Sequence, residues 1–249
     1  MRYHRPDTVE EAVELLSEGV PLGGGTTLAP RRRSLDAVID LDKLGLDQIE
    51  IDDASVEVGA ATKLQMLLDP ELDLPAEFKR ACRLEAAWNL RNMATLAGTI
   101  MSADARSPLL VVLLALGTMA SIHGEHTDMP LNEVIDRREG DSELFLIERV
   151  IFPQPARLSY EYVARAPADR PLVSASAALS VNESRTRVAL GGFGARPLLL
   201  EGDPEDSPEH WQELAKVSYA DAGDAFASAE YRSEVVSILV DRVVKEVQA

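Results

Sequence analysis

The stretch Leu22-Gly23-Gly24-Gly25-Thr26-Thr27-Leu28 decides how the rest of the chain is interpreted. Three consecutive glycines remove every Cβ atom from one bend, so the backbone can adopt positive φ angles and approach a ligand closely. Free N–H groups in such a bend form a concave nest that suits phosphate oxygens. No Gly-Lys-Ser/Thr follows, and the spacing is not that of a Rossmann dinucleotide turn. Taken alone, the stretch equally fits a flexible turn between a strand and a helix.

The composition of the chain excludes several classes of protein. The chain has 249 residues, enough for two small domains or one large one. Its 42 acidic against 25 basic residues give a formal net charge of −17, which repels phosphate backbones and argues against nucleic-acid binding. Cys82 is the single cysteine, so this chain provides neither a disulfide framework nor a four-cysteine iron–sulfur site. We expect Cys82 to be a small buried apolar residue.

No membrane span is expected. The run from 108 to 122 is the longest uncharged apolar stretch, and it is shorter than the roughly 20 residues that a spanning helix needs. The first six residues lack the apolar core of a signal peptide. The sequence therefore predicts a cytoplasmic protein.

The N-terminal part predicts a small α/β unit. Thr8-Val9-Glu10-Glu11 is typical of a capping box that begins a helix. A short buried strand from Val20 leads into the glycine stretch, and Ala37–Leu41 predicts a second strand. The segments 48–51 and 55–58 predict a hairpin.

The middle of the chain predicts mostly helix. From Thr62 the apolar residues Leu64, Leu67 and Leu68 fall on one helical face, and 76–88 predicts a second helix. Residues 90–100 have no regular period and predict a loop held by apolar anchors. A buried helix over 108–116 begins with proline in its first turn, which is a favoured position. Strands over 118–122 and 144–152 flank a short helix at 131–135.

Pro153 and Pro155 indicate a domain boundary. Three strands are predicted after them, over 158–164, 173–181 and 187–191, as an antiparallel meander. Helices over 208–217 and 228–247 complete the chain, and Val235, Leu239 and Val243, with Ile238 beside them, predict the buried stripe of the last helix.

Four motifs in order identify a family. They are Tyr3-x-Arg5-Pro6, the glycine stretch 23–28, Leu90-Arg91-Asn92-x-Ala94-Thr95-Leu96-x-Gly98 and Ala227-Ser228-Ala229-Glu230-Tyr231-Arg232. Together they resemble the FAD-binding medium subunit of molybdenum hydroxylases, a group that includes the flavoprotein subunits of carbon monoxide dehydrogenases and xanthine dehydrogenases. The resemblance covers nearly the whole chain.

The resemblance implies an α+β fold. An FAD-binding domain of the vanillyl-alcohol-oxidase type would occupy residues 1–153, with subdomains of about 1–55 and 56–153. A small α/β C-terminal domain with an antiparallel sheet and helices would occupy 156–249. In that family the glycine loop binds the FAD pyrophosphate and the second loop packs against the FAD. The implied cofactor-binding residues are Gly23, Gly24, Gly25, Thr26, Thr27, Leu28, Thr95, Gly98 and Thr99.

Four positions depart from the family pattern, and one of them is Tyr162, which stands where a lysine is common early in the C-terminal domain. The second loop usually reads Thr-Ile-Gly-Gly-Asn, whereas Ala97 stands here for the first glycine and Thr99 for the asparagine. Pro108 stands where the family has an aspartate.

Other candidate sites are weaker. Arg31-Arg32-Arg33 fits a solvated turn. The functional alternative is a positively charged segment that lies near the FAD phosphates or binds an acidic partner. Gly191-Gly192-Phe193-Gly194 is interpreted as the end of a strand, because no phosphate-facing helix follows it. The histidines His4, His123 and His126 do not form a metal set. Trp88 and Trp211 lie in helical patterns and are expected to be packing residues.

The resemblance implies an oxidoreductase subunit that carries electrons on FAD. A molybdopterin subunit would perform the hydroxylation, and an iron–sulfur subunit would carry the clusters, in a hetero-oligomer. The FAD would pass electrons to an external acceptor, and no residue of this chain would be catalytic. Two alternatives remain open at this stage: a flavin-depleted scaffold subunit of such a complex, and a self-sufficient flavin oxidase.

Overall fold

The computed structural model describes residues 1–140, 144–155, 157–180 and 185–249. The chain forms two compact units, and each mixes helices with sheets, in agreement with the α+β class. The first unit contains 1–73, 86–102 and 118–152, and the second contains 74–85, 103–117 and 153–249.

The first unit begins with a parallel three-stranded sheet in the order β1-β3-β2. Its strands are β1 (Arg2–His4), β2 (Val20–Leu22) and β3 (Ala37–Asp40). Helix α1 (Val9–Glu14) starts where the capping box predicts, because the Thr8 hydroxyl accepts a hydrogen bond from the N–H of Glu11. Ala12, Ile39, Leu41 and Leu146 form a buried cluster against this sheet.

A five-stranded sheet completes the first unit, in the order β4-β5-β8-β6-β7. Its strands are β4 (Ile49–Ile51), β5 (Ser55–Gly59), β6 (Met119–Ile122), β7 (Met129–Pro130) and β8 (Ile147–Pro153). The predicted hairpin is confirmed, since β4 and β5 pair antiparallel. Helix α6 (Leu131–Glu139) begins directly after β7 and is longer than the predicted 131–135.

The helix predicted from Thr62 is wrong. The described segment contains only a 3₁₀ turn, Met66–Leu68. Its backbone forms hydrogen bonds with residues 91–95 instead of the regular bonds of a helix. The N–H groups of Leu64 and Gln65 donate to the carbonyls of Ala94 and Arg91.

The predicted loop over 90–100 instead contains two helices. They are α3 (Trp88–Arg91) and α4 (Leu96–Ser102). Trp88 was expected to be a packing residue, and that prediction is wrong, because its side chain is 67% exposed at the start of α3. The side chain of Thr95 caps α4, because its oxygen accepts a hydrogen bond from the N–H of Gly98 at 3.2 Å. The short polar residue that suggested a loop is thus a helix cap.

The second unit is built on an antiparallel meander in the order β12-β11-β10-β9. The strands are β9 (Arg157–Val163), β10 (Val173–Ser180), β11 (Arg185–Gly191) and β12 (Leu198–Gly202). The three predicted strands are confirmed, although Val181 lies outside the described residues. The prediction missed β12, which adds a fourth strand after the turn that follows Gly191.

Among the described residues of the second unit, four helices accompany this sheet. They are α2 (Ala76–Glu85), α5 (Pro108–Ala115), α7 (Pro208–Ser218) and α8 (Ala229–Gln248). Every residue of α5 is buried, as the apolar run predicts. Trp211 and Cys82 are buried as expected. No helix in the described part of the chain combines the length and apolarity that crossing a membrane requires.

The stripe predicted for α8 is displaced around the helix. Leu239 and Val243 are buried as expected, but Ile238 is more than half exposed. The sheet is instead covered by neighbours such as Val236 and Val240, because the helix presents the adjacent face to the core.

Arg232 of the fourth motif is a fully buried ion-pairing residue. It donates to the carbonyls of Leu172 and Gly192 at 3.0 and 2.6 Å and to the carboxylate of Asp224 at 2.7 Å. Burial by itself would raise the pKa of Asp224. The N–H groups of Phe226 and Ala227 and the Arg232 guanidinium have a larger opposite effect, so the pKa of Asp224 is lowered. The fourth motif, which contains Arg232, therefore has a structural role.

Gly191 is the last residue of β11, as predicted.

We expect Arg232→Ala to lower the free energy of unfolding at pH 7 by about 3 kcal/mol, because it leaves the carbonyls of Leu172 and Gly192 without this buried donor and removes one of the donors to Asp224. The exposed Arg242→Ala is the control and should change stability by less than about 0.5 kcal/mol. Urea unfolding measures both. Because the pKa of Asp224 is lowered, its contribution is present above about pH 4 and is lost as the pH falls through the lowered value. Equal stability of the two variants at pH 7 would contradict this assignment.

Candidate functional site

The glycine loop, residues 23–28, follows β2 directly. Gly25 has a φ angle of +68°, in the left-handed region that glycine adopts without strain. Its carbonyl accepts the N–H of Ala29 at 2.8 Å, where a 3₁₀ helix (Ala29–Ser34) begins. The bend is thus fixed at both ends, by a strand before it and a helix after it.

The first two glycines of the loop pack against the backbone at 93–95. A Cβ atom on Gly24 would lie 1.7 Å from the carbonyl oxygen of Met93, and one on Gly23 would lie 2.6 Å from the hydroxyl of Thr95. Both distances are far below van der Waals contact. These two glycines are therefore required by contact with a neighbouring segment, whereas the motif alone suggested that they make room for a ligand.

The second loop is held by its own hydroxyl groups. The Thr99 hydroxyl donates to the carbonyl of Thr95 at 2.9 Å, and the Ser102 hydroxyl donates to that of Gly98 at 2.7 Å. The Thr27 hydroxyl then donates to Ser102 at 3.2 Å and links the glycine loop to α4. The donor proton of Thr99 is used within the helix, so this residue would face a ligand as an acceptor.

These segments enclose a groove of about 370 Å³, which we call the glycine-loop groove. All nine residues predicted to bind the cofactor line it. The structure thus brings together residues that lie more than 70 positions apart in the sequence. The remaining lining residues are Pro21, Arg31, Met101 and Ser102.

The glycine-loop groove has the donor set that a diphosphate requires. Within the described part of the chain, no N–H group of residues 24–28 donates to a protein acceptor. Arg31 is the one charged residue among those that line the groove. In a chain of net charge −17, free amides beside a guanidinium favour an anion.

A second cavity adjoins the groove. This apolar chamber, of about 120 Å³, shares Pro21, Gly23, Thr95, Gly98 and Met101 with it. The rest of its wall is mostly apolar and consists of Leu41, Ala60, Ala97, Leu144, Phe145, Leu146 and Ile147. An anion-binding groove beside an apolar chamber fits a cofactor that joins a diphosphate to flat ring systems.

Sequence reasoning did not identify several residues of the site. Within the arginine triplet the structure singles out Arg31, because Arg32 turns back to the carbonyl of Ala29 at 3.1 Å. The 3₁₀ spacing after Leu28 is the signal that places Arg31 beside the loop. Phe145 and Ile147 of the chamber lie far along the chain and carry no local signal.

Comparisons with known proteins agree with this geometry. Residues 1–155 match the family described as the FAD binding domain in molybdopterin dehydrogenase. The Escherichia coli K12 protein YgfM, described as uncharacterized, is 29% identical over 80% of this chain and 77% of its own length. The nicotine 6-hydroxylase medium subunit of Paenarthrobacter nicotinovorans is 29% identical over 100% of this chain and 98% of its own length.

A solved structure shows the same fold. A chain of the Cu,Mo-CO dehydrogenase superposes with a TM-score of 0.81 and 23% sequence identity, over 100% of this chain and 97% of that one.

The match over residues 1–155 extends across more than half of the chain, so the family is established. The chain belongs to the FAD-binding domain family of molybdopterin dehydrogenases and is an oxidoreductase subunit with FAD as its cofactor. The expected family, fold class and cofactor are confirmed.

Gly24→Ala tests the contact between the two loops. A single methyl group at 1.7 Å from the Met93 carbonyl oxygen must displace the backbone, and overpacking of this kind costs about 1–3 kcal/mol. Because FAD binding needs the loop in this position, we expect FAD affinity to fall by about 5- to 150-fold. Arg32→Ala is the control and should change a screened surface interaction by about 1 kcal/mol or less. Flavin titration of both variants measures the difference, and equal losses would mean that this contact does not shape the site.

Proposed function

We propose that this chain is the electron-carrying flavin subunit of a molybdenum hydroxylase complex, which receives electrons from iron–sulfur clusters and passes them to an external acceptor. The observation that carries the proposal is the glycine-loop groove, which combines free amides, Arg31 and an adjoining apolar chamber. When bound, FAD supplies the redox chemistry, and the protein binds and orients it.

The chain's own residues divide this work. We propose that the amides of 24–28 and the hydroxyl of Thr26 hold the diphosphate. Thr27 contributes its amide, because its hydroxyl donates to Ser102. Arg31 neutralises part of its charge. Thr95, Gly98 and Thr99 form the opposite wall of the groove, and the apolar chamber takes one of the ring systems. We assign FAD binding to 1–153, with subdomains of about 1–55 and 56–153, and a separate domain to 156–249.

The proposed partners follow from what this chain supplies. An iron–sulfur cluster is held mainly by cysteine thiolates, and this chain provides one cysteine, which is buried. The nicotine relative is named as a medium subunit, which supports a hetero-oligomer with an iron–sulfur subunit and a molybdopterin subunit. A cytoplasmic location remains a prediction.

The identity of the flavin can be checked directly. Flavin extracted from the purified chain should migrate as FAD in chromatography, because the glycine-loop groove presents donors for a diphosphate rather than a single phosphate. Recovery of FMN, or no flavin after reconstitution with excess FAD, would oppose the proposal.

Arg31→Ala should weaken FAD binding on the order of tenfold, since a hydrogen bond to a charged group contributes about 1.5 kcal/mol or more. Arg33→Ala is the matched control, because Arg33 belongs to the same triplet but does not line the groove. Titrations at low and high salt should show a weaker salt dependence for Arg31→Ala only. Binding of riboflavin, which lacks phosphate, should be the same in both variants. An unchanged FAD affinity in Arg31→Ala would remove this residue from the site.

The complex is tested by gentle purification of the chain from its native host. Molybdenum, iron and flavin should be found together in one assembly. A flavin-loaded chain that elutes alone, without either metal, and oxidises a small substrate unaided would favour a self-sufficient oxidase instead.

A further inference from the structure

Helix α6 carries two consecutive arginines in its last turn, Arg137 and Arg138. Neither lines the glycine-loop groove or the apolar chamber. The side chain of Arg138 is only 6% exposed, and its guanidinium donates to the carbonyl of Ile100 in α4. The next residues of α4, Met101 and Ser102, line the groove. The end of α6 is therefore fastened to the helix that carries one wall of the cofactor site.

Arg137 contacts the wall of the apolar chamber. Its guanidinium carbon lies 4.5 Å from the centre of the Phe145 ring, and Phe145 lines the chamber. A guanidinium over the face of an aromatic ring is attracted by the negative charge of that face. This attraction favours one orientation of the Phe145 ring over the others that a half-buried phenylalanine can adopt.

A third residue holds Arg137 in turn. The Arg137 guanidinium donates to the carboxylate of Glu125 at 3.1 Å, and Glu125 follows Gly124, which has a φ angle of +82° in the turn after β6. The Arg137 side chain is mostly buried, so solvent screens this ion pair only in part. Glu125, Arg137 and Phe145 thus form a chain of contacts that runs from a turn of the sheet to the chamber.

Phe145 lies where the packing of the core alone does not fix a ring. It belongs to a segment without regular secondary structure, just before β8 begins at Ile147. Leu144 on one side of it is 48% exposed, whereas Leu146 on the other side is buried in the cluster against the parallel sheet. A contact from outside the core, such as that of Arg137, is what restricts this ring.

The orientation of this ring matters because of what the chamber would receive. Among the described residues that line the groove and the chamber, Phe145 is the one aromatic side chain. Aromatic rings pack best on other rings in offset-stacked or edge-to-face arrangements. The angle of the Phe145 ring therefore decides how well it packs against a ring system in the chamber.

We propose that Arg137 is a positioning residue of the cofactor site, which holds the Phe145 ring from outside the chamber in the orientation that packs against a ring system of bound FAD. This inference rests on the proposed function, which assigns one ring system of FAD to the chamber, and adds the residue that shapes the chamber wall.

The test measures the affinity of the whole purified chain, freed of flavin, for two ligands. FAD fills the groove and the chamber, whereas inorganic pyrophosphate has no ring and occupies the groove alone. Arg137→Met keeps a long side chain but removes the charge. We expect it to bind FAD about two- to fivefold more weakly, as the loss of a partly exposed cation–π contact implies, and to bind pyrophosphate as the wild type does. A change that only destabilised the fold would not separate the two ligands.

Matched variants accompany this comparison. Arg137→Lys keeps the cation and should recover part of the lost FAD affinity. Arg149→Met is the control, because Arg149 pairs with Glu57 at 3.5 Å in the same unit but lines neither the groove nor the chamber. It should leave both affinities unchanged. If Arg137→Met does not fold, Glu125→Gln releases the guanidinium from its anchor and should give the same separation of the two ligands.

A double-mutant cycle shows whether Arg137 acts through the ring. Phe145→Leu removes the ring and should weaken FAD binding by itself. In that background, Arg137→Met should cause no further loss of FAD affinity, because the contact that it removes is already gone. The full loss in the Phe145→Leu background would mean that Arg137 acts by another route, and it overturns the proposal.

Two further results overturn the proposal while the proposed function stands. They are wild-type FAD affinity in Arg137→Met, and equal losses of FAD and pyrophosphate affinity in that variant. A wild-type chain that binds pyrophosphate but no FAD overturns the proposed function and this inference with it.

Discussion

The contact of Gly23 and Gly24 with the backbone at 93–95 is the constraint on which the cofactor site depends. Two segments far apart in sequence approach so closely that a single Cβ atom at Gly24 would overlap the Met93 carbonyl oxygen. The glycine loop follows a parallel sheet, whereas the segment 93–95 is bonded to the turn before it through Leu64 and Ala94. Because Gly23 and Gly24 have no side chains, the glycine loop can pack directly against the backbone of residues 93–95.

The backbone N–H groups of residues 24–28, which face the glycine-loop groove, are left for a ligand. Hydroxyls at Thr99 and Ser102 donate to the carbonyls of Thr95 and Gly98, while the amides of 24–28 have no acceptor within the described residues. Unpaired backbone donors are tolerated only where solvent or a ligand completes them.

Local signals predicted much of this structure. Thr8 capped its helix, and the hairpin at 48–58 paired as expected. The nine candidate residues, which the family resemblance implied, line one groove. Errors arose where tertiary contacts overrode local pattern. The leucines after Thr62 had helical spacing, yet their backbone bonds to the 91–95 segment instead. Thr95 appeared to belong to a loop because a capping threonine and a loop threonine look alike in sequence. Trp88 and Ile238 are apolar, and both were predicted to pack, yet both are more than half exposed. Burial depends on which face of the helix contacts the core, and the identity of one residue does not determine that face.

Hydrogen–deuterium exchange of the purified chain, with and without FAD, tests the central claim most directly. The amides of 24–28 lack acceptors in the described part of the chain, so a peptide that covers them should exchange rapidly without ligand. Addition of FAD should protect that peptide strongly, while the β10 peptide (Val173–Ser180) of the second unit, whose amides are paired in the meander, should not change. Saturating FAD binding that leaves the 24–28 peptide unprotected would contradict the account.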